Sequence, residues 1–170
     1  MRAPIFAVLF IAAFLWPEAA FAHTDGGGAL GFISGLRHPV SGLDHVLAMI
    51  AVGLRGAQLG APAVWLLPVT FPMTMAVGGM LGLMGVHIPG VEIAIAGSAI
   101  VLGLMVASEA RPHPAIAGAL VAIFAIFHGH AHGVELPKGA DGLGYSIGFV
   151  VSTGTLHAAG ITIGLLHRSL

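Results

Sequence analysis

The sequence contains no cysteine, which excludes disulfides, thiolate metal sites and cysteine nucleophiles. Charge is nearly as scarce. Only 8% of the 170 residues are Asp, Glu, Lys or Arg, against about 25% in an ordinary soluble domain. The net charge of −1 gives no basis for nucleic-acid binding. A phosphate-binding glycine loop, a G-x-S-x-G elbow and an H-E-x-x-H pair are also missing. What is present is apolar: 57% of the residues are hydrophobic. A soluble fold of this length cannot bury so much apolar surface, so the surplus must face lipid. The 26 glycines suit that setting, because small residues let membrane helices approach closely. Ten histidines stand beside so few charges, and ionisable groups inside a membrane need a function.

The N-terminus reads as an export signal over residues 1–22. Arg2 supplies the positive start, Ile5 to Trp16 is too short to span a bilayer, and Ala20-Phe21-Ala22 has the small-x-small form of a cleavage site. Pro17 and Glu18 argue against a retained helix. Cleavage would leave one transmembrane domain, 23–170, beginning at His23 on the extracytoplasmic side. A presequence on a cysteine-free hydrophobic chain fits a bacterial inner membrane.

Spanning takes about 20 apolar residues. Five stretches qualify, at about 39–59, 64–86, 91–108, 115–132 and 143–166. The breaks between them are rich in Pro and Gly. Residues 26–36 are apolar but short, and read as an interfacial or re-entrant segment. The expected fold is therefore all-α, a polytopic bundle of five to six helices after a cleaved signal. Starting outside, Arg55, Arg111 and Arg168 fall inside and only Arg37 and Lys138 outside, as the positive-inside rule requires. The GxxxG spacings Gly56/Gly60, Gly78/Gly82, Gly144/Gly148 and Gly160/Gly164 together suggest a tightly packed bundle.

That topology sorts the polar residues. His38, Asp44 and His45 start the first span outside, and Glu92 starts the third. His87 lies in the loop before it. His128, His130, His132 and Glu135 end the fourth. His38 and His45 are two turns apart, on one helix face if the helix is continuous. His128 and His132, four apart, project from the same side as two ligands to one ion would. Neutral imidazole with carboxylate and no sulfur suits Ni, Zn, Cu or Co. The bland readings run alongside. A lone membrane His is more often a hydrogen-bonding partner between helices, which applies to His157, His113 and His167. His87 reads as solvated, the methionines as packing, and Glu92 as a helix cap. Asp44, inside an apolar run, needs a partner: an ion pair or a bound cation.

Two segments carry a resemblance. His38-Pro39-Val40-Ser41-Gly42-Leu43-Asp44-His45, continuing to Gly53, resembles the H-x5-D-H signature of the HupE/UreJ nickel permeases. Phe127-His128-Gly129-His130-Ala131-His132-Gly133-Val134-Glu135 resembles their second signature, F-H-G-x-A/V-H-G-x-E. The resemblance implies that His38, Asp44, His45, His128, His132 and Glu135 are transport residues, and that Phe71 and Glu92 occupy further functional positions. His130, His157, His23 and His87 are secondary candidates along the path. It also implies six helices where hydropathy finds five.

The resulting expectation is a non-enzymatic permease that takes up Ni2+, with Co2+ as an option, for hydrogenase or urease maturation. Its partners would be the nickel ion, the lipid bilayer and, as an open option, a second copy of the chain. Two rival readings remain. One is a membrane metal-binding or assembly protein that does not transport. The other is an intramembrane hydrolase built on Ser152, Thr153, Thr155 and His157, with Ser41 near Asp44 and His45.

Overall fold

The computed structural model describes residues 31–136 and 141–168, without the side chain of Asp44. The presequence, His23 and Lys138 lie outside the described residues. Among the described residues there are six helices: α1 Phe32–Ser41, α2 Leu43–Leu59, α3 Ala63–Leu83, α4 Val91–Ala107, α5 Pro114–Glu135 and α6 Gly142–Arg168. The sequence explains their limits. Gly60 and Gly90 take positive φ of 76° and 73° at the end of α2 and before α4, a conformation that costs glycine little. Pro114 opens α5, and Nδ1 of His113 accepts the Ala115 N–H at 3.3 Å to cap it.

The first expected span is not one helix. Gly42 is extended (φ −112°, ψ 127°) and separates α1 from α2, which meet at 82°. His38 and His45 therefore do not share one helix face. Pro39 sits inside α1 rather than at a helix start. Hydropathy runs on through the break because it registers apolarity and not direction. Residues 32–36 of the apolar segment lie in α1, which brings the described helices to six.

Among the described residues, three helices are long and apolar enough to cross a membrane: α3, α5 and α6. The bent α1–α2 pair gives a fourth span if it counts as one. With Trp65, Ile93 and Leu143 among many large apolar side chains left exposed, the chain is a helical membrane bundle.

The bundle has two halves. One is built from α6 against α2 and α1, the other from α3 against α5, with α4 beside α5. Glycine makes both tight. A Cβ on Gly129 of α5 would run into the Met75 carbonyl of α3, and one on Gly148 of α6 into the Phe32 carbonyl of α1. Gly78, Gly82, Gly148 and Gly160 lie at such backbone contacts, while Gly144 and Gly164 first meet the side chains of Asp141 and Ala57.

The two ends of the bundle differ in chemistry. At one end, Arg55 is almost fully buried and donates to Oε1 of Gln58 at 2.8 Å; Nε2 of Gln58 donates to the Val106 carbonyl at 3.2 Å. Arg168 donates to the Ala57 carbonyl at 2.8 Å, and His167 lies 3.8 Å from Glu109. His38, His45, His87, His128, His130 and His132 collect at the opposite end.

Candidate metal centre

Three elements meet where α1 breaks into α2. His38 lies in the last turn of α1 and His45 in the first turn of α2, while His132 lies in the last turn of α5. Their ring nitrogens come together, with one from each residue within 4.8 Å of the others. Nε2 of His45 is 3.2 Å from Nε2 of His132. For metal–imidazole bonds of about 2.0–2.1 Å, two ligand nitrogens sit about 2.9 Å apart at a right angle and about 3.3 Å apart at a tetrahedral one. The observed spacing falls between these, so one cation between the two rings needs little movement. His38 packs edge-on to both, with ring centroids 5.5 Å from His45 and 4.6 Å from His132.

The surroundings favour positive charge. Two helix C-termini, those of α1 and α5, end at the cluster, each equivalent to about half a negative charge, and the N-terminus of α2 offsets one of them, so the net bias toward a cation is that of about one helix end. Asp44 precedes His45 in the first turn of α2; its side chain is outside the described part. Glu135, the last residue of α5, is exposed at the same end, and so is Glu92 in the first turn of α4.

The second expected ligand pair divides. His132 joins the cluster, whereas Nε2 of His128, one turn deeper, lies 3.0 Å from Oγ of Ser98 on α4. Its ring is 6.0 Å from His45 and 5.9 Å from Phe71. His130 points elsewhere and holds the loop before α4 through the Val86 carbonyl at 2.6 Å. His87 is exposed in that loop. His157 is buried on α6, with Phe71 5.8 Å from its ring. Of the residues named for a hydrolytic reading, Thr155 donates to the Ser152 carbonyl at 2.6 Å; beside the cluster, Ser41 donates to the His38 carbonyl at 2.7 Å.

Sequence reasoning missed the wall of the site. Tyr145 and Phe149 of α6 face the cluster: Tyr145 is 5.9 Å from His38, and Phe149 is 5.8 Å from His38 and 5.2 Å from His132. The signal was available, because Tyr145, Phe149, Thr153 and His157 recur every four residues, on one side of a helix. Ser98 offered none, being one hydroxyl in an apolar helix.

No solved structure matches the chain. A model of the HupE / UreJ protein family matches residues 11–170. Protein HupE of Rhizobium leguminosarum bv. viciae is 47% identical over 156 residues, covering 92% of this chain and 81% of that protein. With the family match running over nearly the whole chain and this relative at almost half identity, the chain belongs to the HupE/UreJ family.

Proposed function

We propose that this protein is a secondary or facilitative permease that takes up nickel(II) across a bacterial inner membrane, with cobalt(II) as an alternative cargo. The observation that carries the reading is the meeting of His38, His45 and His132, from three separate helices, with ring nitrogens within 4.8 Å. A lone structural histidine has no need of two others. The mature N-terminus and the cluster lie on the extracytoplasmic side, and the Arg55/Arg168 end faces the cytoplasm, in accord with the positive-inside rule.

In this reading Glu92 and Glu135 attract the cation at the mouth. His38, His45 and His132 bind it as neutral imidazoles, replacing water ligands. Asp44 offsets its charge as it leaves bulk water, where an uncompensated ion costs many kcal/mol. His128, held by Ser98, is next inward, with Phe71 beyond it. An inside-negative potential favours a divalent cation by about 4.6 kcal/mol at about 100 mV, enough to drive uptake without ATP. The relative's family setting supports delivery of the metal to hydrogenase or urease assembly.

Uptake of radiolabelled nickel by cells or vesicles tests the reading. Asp44→Asn and His132→Ala should each abolish uptake while the protein remains at its normal level in the membrane. Normal uptake in both variants would refute it. Competition by cobalt, zinc and copper in the same assay ranks the cargo.

A further inference from the structure

The histidine cluster is only the outer end of a longer row of rings. From His132 the centroids step 5.2 Å to His45, 6.0 Å to His128, 5.9 Å to Phe71 and 5.8 Å to His157. Along α6, Phe149 touches the outer cluster and His157 follows eight residues later. At 1.5 Å per residue the displacement is about 12 Å, a large part of the way to the midplane of a hydrocarbon core roughly 30 Å thick.

His157 is 2% exposed, yet neither ring nitrogen makes a hydrogen bond. The hydroxyl of Thr153, one turn before it on the same side of α6, is fully buried and equally without a partner. That is unusual for a helical hydroxyl. On the same helix, Ser146 and Thr162 bond the carbonyls four residues back, at 2.7 Å and 2.8 Å. A third polar group lies beside His157. The Pro68 carbonyl of α3 approaches His157 without forming a full hydrogen bond. Its usual helical donor would be residue 72, which is also proline and has no N–H. Freed backbone groups persist at membrane depth where they line a polar site. Two unpartnered side chains on one side of α6, with a carbonyl lacking its usual helical donor beside His157, thus lie in a membrane interior, where unsatisfied polar groups cost free energy unless something binds them.

We infer that His157, Thr153 and the Pro68 carbonyl form a second, deeper cation station, separated from the outer cluster by the Phe71 ring. Its ligand is a dehydrating divalent transition-metal ion, held by one imidazole nitrogen and two oxygens. The inference rests on the permease reading and extends it inward. The described acidic residues, Glu92, Glu109, Glu135 and Asp141, are all exposed, so none contributes to this station. It therefore holds the ion more weakly than the outer cluster, as onward release requires.

The test uses the full-length protein purified in detergent, with nickel(II) chloride as the probe in equilibrium dialysis and radiolabelled nickel for uptake. The wild type should bind two ions per chain, one tightly and one weakly. His157→Gln, which keeps a polar side chain of similar reach, should retain the tight ion and lose the weak one. Its uptake should fall at least about tenfold. Thr153→Val, which is nearly isosteric, should weaken the second ion with no effect on the first. His132→Ala should remove the tight ion. A single tight ion in the wild type overturns the deeper station alone. So does uptake within twofold of wild type in both His157→Gln and Thr153→Val. Absence of the tight ion from the wild type overturns the permease reading and the station with it. If His157→Gln fails to reach the membrane, the result for Thr153→Val decides.

Discussion

At the scale of single residues, adjacent histidines in one motif have separate roles. His130 and His132 are two positions apart, so they leave the α5 axis in different directions. His132 meets His38 and His45; His130 bonds the Val86 carbonyl. His130→Ala should therefore lower thermal stability by about 1–2 kcal/mol, the cost of stranding a carbonyl. Nickel uptake per folded molecule should stay near normal. Thermal unfolding in detergent beside an uptake assay checks both parts, and loss of uptake at unchanged stability would place His130 on the path. The motif made the residue types legible, together with the spacing that brings His128 and His132 to one side. It could not show that His128 pairs with Ser98, because that contact depends on how α4 sits against α5.

At the scale of elements, glycine sets how near the helices come. Gly129 has the Met75 backbone where a side chain would go, whereas Gly97 and Gly154 have open space. Gly129→Ala should force α3 from α5 and cost roughly 1–3 kcal/mol, the range for overpacking. Gly97→Ala and Gly154→Ala should be neutral or stabilising by up to about 1 kcal/mol, because alanine favours the helix. Detergent melting curves for the three variants check the order. Most of the elements were legible: four of the five expected apolar stretches are the helices α3 through α6 within a few residues, although α4, at 17 residues, is shorter than a full span. The break at Gly42 was not. Glycine occurs 26 times in this chain, and its presence alone does not separate a packing contact from a change of direction. Whether the helix continues is decided by where α1 finds its partner, and that partner is α6, more than 100 residues away.

At the scale of the whole molecule, the bundle has a histidine end and an arginine end. The absence of cysteine permits a direct test of which faces out, since any introduced thiol is the only one present. In intact cells, His87→Cys should react with a membrane-impermeant maleimide. Arg111→Cys should react only after permeabilisation. The reverse pattern would invert the orientation. Arg55 shows where the positive-inside reading stops short. The rule marks its side of the membrane, but not that its guanidinium is buried and helps tie α2 to α4 through Gln58.

The division into two halves bears on motion. His38 and His45 belong to the half built on α6, and His132 to the half built on α3 and α5. In the permease reading, a cation held by all three would fasten the halves like a clasp, and its departure would loosen them. Amide exchange in α1 should then slow when nickel is added and quicken when it is removed. On the proposed function, the cargo would itself be the latch on the door it passes through.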